Sequence, residues 1–281
     1  MDIKIGVAHH REFYQYRDDV FFPIQVGRAI CDTALGMIGD DEGDSISVKN
    51  KYYCELTATY WLWKNCRSAD YIGLCHYRRY FSKKEHGLYF FVKKIKHFIL
   101  RDRFESGAFF AESKSVSSKV GIDTRLKGFS VYLKKDIDKG KFDIYALRPV
   151  KMLNENLHTH FSKPAGSFPI ELLLEIVKES KPEYHESLVD ILGGRSLHYA
   201  NMVIMSRFRF DLYCEFLFDV LSEHEARIVS SGWCLNPSLE GCYSRLPGYL
   251  GELLTSCFIT HQAKNGVNVE FLPSYFLTDE V

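Results

Sequence analysis

The residues best suited to chemistry lie in one short block, Cys75-His76-Tyr77-Arg78-Arg79-Tyr80-Phe81. It follows the apolar run from residue 70 to residue 75, which predicts a buried strand. Adjacent arginines supply the charge-assisted donors that bind phosphate, and a departing diphosphate needs positive charge beside it. The block therefore predicts either an anion-binding strand end or a solvated turn with structural ion pairs.

A second candidate, the pair His9 and His10, follows the apolar run from Ile3 to Ala8. In α/β sheets, ligands bind beyond the carboxyl ends of the strands. Two strand ends that carry His or Arg therefore predict that His10 belongs to the same site as residues 76–79.

Acidic residues at three places are candidates for proton transfer or cation binding. Glu55 borders the apolar stripe of a helix predicted over residues 51–65, and Glu252 lies within the otherwise apolar segment 248–254. A carboxylate in apolar surroundings has a raised pKa and can act as a general base, although a structural ion pair would explain either residue equally well. The acidic loop from Asp40 to Asp44 could bind a divalent cation or be simply solvated.

Apolar runs alternate with helical patterns along the chain, which predicts an α/β fold. Residues 105–140 are rich in Ser, Lys and Gly with weak periodicity. They predict an irregular or mobile insertion in a single domain that spans residues 1–281. Helices are predicted over 168–180, 208–227 and 246–262, and strands over 142–147, 201–205 and 267–272.

Composition excludes several classes of protein. Lys and Arg together number 36, as do Asp and Glu, so the basic excess of a nucleic-acid-binding protein is missing. The start of the chain is too short and charged for a secretory signal, and no run reaches the roughly 18 apolar residues of a spanning helix. These features predict a cytoplasmic protein whose scattered cysteines are reduced thiols. The common nucleotide-binding and hydrolase motifs do not occur.

The segment 88–101 predicts an amphipathic helix, with Leu88, Phe91 and Ile95 on one side and basic residues on the rest. Such a helix suits the surface of an anionic membrane. It suits packing on the core, with its lysines in solvent, equally well. A weak peripheral contact with the inner face of the plasma membrane is therefore one of two interpretations.

Much of the chain resembles a family of bacterial capsule and O-antigen exopolysaccharide biosynthesis proteins, formerly a domain of unknown function. The family includes glycosyltransferases of the galactofuranosyltransferase type. The most specific stretch is Gly73-Leu74-Cys75-His76-Tyr77-Arg78-Arg79-Tyr80-Phe81. Further matching stretches lie at residues 44–57, 61–65, 69–72, 201–205 and 248–252, and at Gly251 the family more often has a polar residue such as Ser.

The resemblance implies a GT-A-like nucleotide-sugar-binding fold, with a mixed, mostly parallel sheet flanked by helices. It implies inverting transfer of galactose or galactofuranose from a UDP-sugar to a polysaccharide or lipid-linked oligosaccharide acceptor. Such enzymes usually carry an Asp-x-Asp metal motif, but here residues 76–79 take that place, so Mn²⁺ or Mg²⁺ is not required by the sequence. A non-catalytic carbohydrate-binding or assembly module and a sugar phosphotransferase are the alternatives.

Within this interpretation each candidate residue has an expected role. Glu252 is the expected general base, with Glu55 as the next candidate. His160 and Asn201 are expected on the acceptor side. The residues expected to bind the donor and its diphosphate are His10, Asp44, Asn50, Tyr53, Glu55, His76, Tyr77, Arg78 and Arg79.

Overall fold

The computed structural model describes residues 1–83, 113–163, 166–233 and 245–278. The helix predicted over residues 88–101, and with it the membrane contact, lies outside these ranges. None of the helices within them combines the length and apolarity needed to cross a membrane.

The secondary structure alternates strands and helices, as expected from the sequence. The strands are β1 (Ile3–His9), β2 (Phe21–Gln25), β3 (Ile38–Gly39), β4 (Tyr71–His76), β5 (Arg79–Phe81), β6 (Ser113–Val116), β7 (Ile144–Leu147), β8 (Val150–Lys151), β9 (Ser196–Leu197), β10 (Val203–Ser206), β11 (Val269–Leu272) and β12 (Ser274–Leu277). The helices are α1 (Asn50–Tyr53), α2 (Leu56–Asn65), α3 (Lys119–Ile137), α4 (Leu157–Ser162), α5 (Phe168–Ser180), α6 (Pro182–Gly193), α7 (Arg207–Ser230) and α8 (Leu246–Lys264).

The central sheet has the strand order β11-β7-β10-β4-β1-β2-β3. Strands β4, β1, β2 and β3 run parallel to one another, and β11 runs parallel to β7. Only β10, between β4 and β7, is antiparallel to both of its neighbours in this order. The mixed, mostly parallel sheet expected from the resemblance is therefore confirmed.

Helices cover both faces of this sheet. Each face carries apolar side chains that are buried in a separate cluster with the helices above it. Ile5 and Val7 of β1 share one cluster with the buried residues of α3. Ala8 belongs to the other cluster, together with α2 and α5 to α8. A β-carbon at Gly6 would come within 2.6 Å of the Ile24 side chain and 3.0 Å of the Leu62 side chain of α2, so its lack of a side chain lets α2 approach the sheet.

The prediction of irregular structure is wrong for residues 119–137, which form α3. The side chains of Ile122, Leu126, Phe129, Leu133 and Ile137 are buried, and their spacing of three or four positions marks one face of a helix. The Lys, Gly and Ser residues between them lower the average hydropathy and obscure this period. Residues 105–112 of the predicted insertion lie outside the described ranges.

The helix predicted over residues 51–65 is interrupted at Cys54. This residue has φ 52° and ψ −132°, which ends α1 and lets α2 begin at Leu56. Gly248 of α8 packs against the interruption, since a β-carbon there would lie 3.2 Å from the Cys54 Sγ. Glu55 therefore lies at a junction between two helices, at the end of α2 that adjoins the C-terminal end of β4.

Candidate active site

The two strand ends that carry candidate residues lie side by side. β1 and β4 are parallel neighbours, with Ala8 opposite His76. The Tyr77 backbone N–H donates to the Ala8 carbonyl at 3.0 Å, and the His10 ring packs edge-on against the Tyr77 ring with centroids 5.0 Å apart. The candidate residues after both strands therefore lie together at the carboxyl edge of the sheet.

A cleft with a volume of about 220 Å³ opens at this edge. Its walls come from four separate parts of the chain: the α1–α2 junction, the β4–β5 hairpin, the loop before β10 and the first turns of α8. The lining residues are Cys54, Glu55, His76, Arg79, Tyr199, Ala200, Arg245, Gly248, Tyr249 and Glu252.

Glu252 has a strongly altered acidity. Burial raises the pKa of Glu252 to about 8, and the charge of Glu55 acts in the same direction. A hydrogen bond from the Ala200 backbone N–H, at 2.6 Å from Oε1, and the positive charge of Arg79 act against this rise. The carboxyl is therefore largely protonated at neutral pH and becomes a comparatively strong base once it ionises.

Glu55 lines the same cleft. Its Oε1 accepts a hydrogen bond from Asn201 Nδ2 at 2.8 Å and lies 3.9 Å from His76 Nε2. The side chain is 17% exposed, so it can contact a ligand. Two carboxyl groups thus share one small cleft.

The His76 ring carries a proton on Nε2 that is directed at the backbone of Ala200. Its Nε2 lies 2.7 Å from the Ala200 carbonyl oxygen, and because a carbonyl can only accept, Nε2 is the donor. Burial lowers the pKa of His76; the charge of Glu55 opposes this shift and that of Arg79 adds to it. Ala200 therefore orients two cleft residues, His76 through its carbonyl and Glu252 through its N–H.

The backbone around the cleft adopts unusual conformations. Within the described ranges, the non-glycine residues with positive φ are Cys54 at 52°, Ala200 at 65° and Asn201 at 49°. This region is unfavourable for residues with a β-carbon, at a cost of roughly 1–2 kcal/mol each. Such conformations concentrate at functional sites, where the surrounding structure enforces them.

Asn201 was expected to contact the acceptor, and its burial corrects this expectation. Its side chain is only 1% exposed, so no surface remains for an acceptor. Gly251 explains how the side chain fits, since a β-carbon there would lie 2.7 Å from Leu56 Cδ1 and 3.1 Å from Asn201 Oδ1. The departure from the family pattern at Gly251 thus accompanies a close approach of α8 to Asn201.

The positive charges in the cleft come from Arg79 and Arg245. Arg245 immediately precedes α8, and the sequence patterns gave no reason to select it. Partial burial lowers the pKa of His10, and the charges of Arg11, Arg245 and His76 act in the same direction. The positive charge of the cleft is therefore supplied by two segments that lie far apart in the sequence.

Arg78 lies beside the cleft rather than in its wall. Its Nε donates to the Leu277 carbonyl at 3.1 Å, and its guanidinium lies over the Phe276 ring, 4.8 Å from the centroid. The Arg79 guanidinium also lies near the Phe276 ring, 5.3 Å from its centroid, but of the two adjacent arginines it is Arg79 that lines the cleft.

Asn50 and Tyr53, expected to bind the donor, have structural contacts instead. Asn50 Nδ2 donates to the Cys54 carbonyl at 2.7 Å and thereby stabilises the α1–α2 junction. The Tyr53 hydroxyl donates to Glu225 of α7 at 2.9 Å, and the side chain is 2% exposed. Neither side chain lines the cleft; both instead stabilise the α1 segment that leads into its wall.

Asp44 and His160 are not brought to the cleft. Asp44 accepts a hydrogen bond from the Tyr60 hydroxyl at 3.1 Å, and its backbone is bonded to Asn65 at the C-terminal end of α2. At 1.5 Å per residue, that end lies about 15 Å along the helix from the end that adjoins the cleft. His160 Nδ1 lies 3.0 Å from Glu155 Oε1, on α4.

The acidic loop after β3 is organised around a buried carboxylate. Asp40 is fully buried and accepts hydrogen bonds from the Gly27 N–H at 3.0 Å, the Arg28 N–H at 3.1 Å and the Thr57 hydroxyl at 2.5 Å. The Ser47 hydroxyl donates to it as well. Its oxygens are thus used within the protein, which gives Asp40 a structural role. The other acidic residues of the loop, Asp41, Glu42 and Asp44, are exposed to solvent.

Replacing Asp40 with Ala is expected to lower the free energy of unfolding by about 3 kcal/mol or more, because several buried donors lose their acceptor. Chemical denaturation measures this loss. Glu42→Ala is the matched control, since Glu42 is exposed and offers only its backbone carbonyl, to Trp61. Equal stability of the two variants would contradict the structural role of Asp40.

A hard divalent cation does not fit the residues that take the place of the Asp-x-Asp motif. Such ions prefer oxygen ligands, whereas His76, Arg78 and Arg79 supply cationic or neutral nitrogen donors. Within the described parts of the chain, no group of three or more His, Cys, Asp or Glu side chains is arranged to hold a metal ion. No step of the mechanism below passes through a metal.

Comparison with known proteins adds three findings. The profile of a family described as a domain of unknown function, DUF4422, matches residues 4–264. The fold is similar to the structure of the bifunctional glycosyltransferase WbbM without ligand, with a TM-score of 0.82 and 24% sequence identity. The similarity covers 99% of this chain but 46% of that one, so the chain spans less than half the length of WbbM. No curated protein matches the chain. At this identity the likeness concerns the fold alone, and it is consistent with the α/β fold expected from the sequence.

Proposed function

Since the chain belongs to the DUF4422 family and has the fold of a glycosyltransferase, we propose that it transfers a sugar from a nucleotide-sugar donor to an acceptor hydroxyl. The observation that carries the proposal is the composition of the cleft. It combines two arginines, Arg79 and Arg245, with a carboxyl group of raised pKa, Glu252. Positive charge for a leaving diphosphate and a base for the acceptor are the two requirements of direct sugar transfer.

The diphosphate of the donor binds against Arg79 and Arg245 in this proposal. Guanidinium groups bind phosphate oxygens with paired, charge-assisted hydrogen bonds. The first turn of α8, which begins at Leu246 beside Arg245, adds the partial positive charge of a helix N-terminus. His10 and Tyr77 at the ends of the neighbouring strands flank the donor. As the bond to the sugar breaks, these positive groups stabilise the charge that develops on the nucleoside diphosphate.

Glu252 removes the proton from the acceptor. The acceptor oxygen attacks the anomeric carbon while the bond from that carbon to the diphosphate breaks. The bonding electrons leave with the diphosphate, and the acceptor proton passes to Glu252. Because attack and departure occur on opposite faces, the anomeric configuration is inverted. Glu55 lies across the cleft and is placed to bind hydroxyl groups of the donor sugar.

The substrate class is proposed from the sequence resemblance. The Gly73–Phe81 block resembles proteins of capsule and O-antigen synthesis, which supports a UDP-galactose or UDP-galactofuranose donor. It also supports an acceptor that is a lipid-linked oligosaccharide or a growing surface polysaccharide. The open cleft, with the exposed Tyr249 at its rim, suits an extended carbohydrate because aromatic side chains offer flat apolar surfaces.

A nucleotide-sugar panel tests the proposal in two steps. A ligand that binds only the native protein raises its melting temperature, so thermal shifts identify the nucleotide and the sugar. Release of the nucleoside diphosphate with an acceptor present then tests transfer. A carbohydrate-binding module would show a higher melting temperature with sugars but would release no nucleoside diphosphate. A sugar phosphotransferase would consume the donor without forming a glycosidic bond. Either result would overturn the proposal.

The rate of transfer is expected to depend on pH. Glu252 must be ionised to accept a proton, and its pKa is raised to about 8. We therefore expect kcat/KM to rise with pH and to level off above about 8, since this parameter reports the essential groups of the free enzyme. Initial rates between pH 6 and pH 9.5 at constant ionic strength measure the profile. A rate that is constant from pH 6 upward would exclude Glu252 as the base.

A further inference from the structure

We propose that Asn201 is a positioning residue that keeps Glu55 as the charged member of the Glu55–Glu252 pair and leaves the proton shared by the pair on Glu252. The catalytic meaning of this inference rests on the proposed function. The protonation that it describes is a property of the free protein and can be measured without substrate.

The orientation of the Asn201 amide is fixed by hydrogen bonds on both sides. Nδ2 donates to Glu55 Oε1 at 2.8 Å and approaches the Gly248 carbonyl at 3.3 Å. Thr255 Oγ1 donates to Asn201 Oδ1 at 3.2 Å and lies 2.8 Å from the Tyr213 hydroxyl. Because the Thr255 proton is committed to Asn201, the Tyr213 hydroxyl is the donor to Thr255. The chain of donors thus runs in one direction, toward Glu55.

This direction determines which form of Glu55 is favoured. The amide can only donate on the side of Glu55, since its oxygen is held by Thr255. A hydrogen bond donated to a carboxylate favours the charged form of that carboxylate. The chain is also shielded from solvent, because Asn201 is 1% exposed and Thr255 and Tyr213 are fully buried. Water therefore does not compete for the amide, and the rotation that would present its oxygen to Glu55 would break the bond from Thr255.

Glu252 lies in different surroundings. The Ala200 N–H donates to it, and burial is the largest influence on its pKa, which rises to about 8. Two like charges in one small cleft are unfavourable, so a pair of carboxyl groups tends to hold one proton between them. The cleft that holds Glu252 is lined by further titratable groups from every surrounding element. They are Cys54 and Glu55 from the α1–α2 junction, His76 and Arg79 from the β4–β5 hairpin, Tyr199 from the loop before β10, and Arg245 and Tyr249 from the start of α8.

The two carboxyl groups therefore have different roles. Glu55 remains charged, and its charge makes Glu252 a stronger base. Asn201 affects the base only through Glu55. Its left-handed backbone, with φ 49°, turns the side chain inward between α8 and Glu55.

Carbon-13 NMR of free protein labelled at the glutamate carboxyl carbons tests the inference. In a titration from pH 5 to pH 10, we expect one buried carboxyl to titrate near pH 8 and its signal to disappear in Glu252→Gln. In Glu55→Gln, loss of the neighbouring charge is expected to move the Glu252 midpoint down by about one pH unit. If the signal near pH 8 instead disappeared in Glu55→Gln, the inference would be overturned.

Asn201→Gly tests the positioning role, because glycine accepts a positive φ while the amide is lost. We expect the midpoint of the signal near pH 8 to fall by about half a unit or more, since the donor that favours the charged form of Glu55 is gone and the charge that raises the pKa of Glu252 is held less firmly beside it. Ala200→Gly is the matched control, in which the same residue is introduced at the adjacent left-handed position and the amide remains; the signal near pH 8 should keep its midpoint. An unchanged midpoint in Asn201→Gly would overturn the inference. Should that variant fail to fold, Glu55→Gln decides the assignment of the proton by itself.

If the pair titrates as expected but no nucleotide sugar is consumed, the proposed function fails while the inference stands.

Discussion

Replacing Arg79 with Ala is expected to lower the rate of sugar transfer about a hundredfold, since one lost donor to a developing negative charge costs about 3 kcal/mol. Arg79 lines the cleft and lies close enough to Glu252 and His76 to influence the pKa of both. Its removal takes positive charge from the place where the nucleoside diphosphate departs. Turnover at saturating donor measures the effect, and circular dichroism confirms that the variant is folded.

Arg78→Ala is the matched control for this substitution. The two residues are adjacent and identical in type, but Arg78 contacts Leu277 and Phe276 outside the cleft wall. We expect Arg78→Ala to leave far more activity than Arg79→Ala, and Arg245→Ala to resemble Arg79→Ala. Near-wild-type turnover in both Arg79→Ala and Arg245→Ala would show that the diphosphate does not bind here.

Glu252→Gln is expected to reduce sugar transfer by about a hundredfold or more, the range typical for loss of a general base. The amide keeps the shape of the side chain and can still accept the Ala200 hydrogen bond, but it cannot take up the acceptor proton. Donor binding, measured by the shift in melting temperature, should therefore survive while transfer fails. This separation of binding from turnover distinguishes a base from a residue that holds the donor.

A second Glu→Gln substitution controls for the loss of one negative charge. Glu186 is suitable because its side chain is 87% exposed and only weakly paired with Lys264 at 3.5 Å. Glu186→Gln should transfer sugar at the wild-type rate. If Glu252→Gln did so too, the role of base would pass to Glu55, the other carboxylate of the cleft.

The candidate residues that could be selected from the sequence depend on short-range order. His10 and residues 76–79 each follow directly after an apolar strand, and the rule for strand ends needs only this local order. Glu252 could be selected in the same way, since its apolar neighbours along α8 indicated burial. In each case the relevant information lies within a few positions of the residue itself.

The remaining features depend on contacts between distant segments. Arg245 joins the cleft because α8 docks against the α1–α2 junction, which nothing in its neighbouring residues indicates. The positive φ of Ala200 and Asn201 is likewise enforced by their hydrogen bonds to Glu252 and Glu55, since neither residue type requires that conformation. Asp44 and His160 have side chains suited to a binding site, but side-chain chemistry does not determine where a segment of the chain lies in the fold. The burial of Asn201 could not be predicted from its neighbours, because it depends on Gly251 of α8 lying against its side chain.

The separation of the cleft residues along the chain also bears on how the protein folds. Glu55 and Asn201 are 146 positions apart, His76 and Ala200 are 124 apart, and Ala200 and Glu252 are 52 apart. Contacts of such high sequence separation form slowly, because each must close a long loop before it adds stability. During synthesis the parallel strands β1 to β4 emerge well before α8, so the early chain can begin its sheet without possessing a binding cleft. Because the cleft contacts join segments that are far apart in the sequence, we expect the cleft to be one of the last parts of the molecule to form.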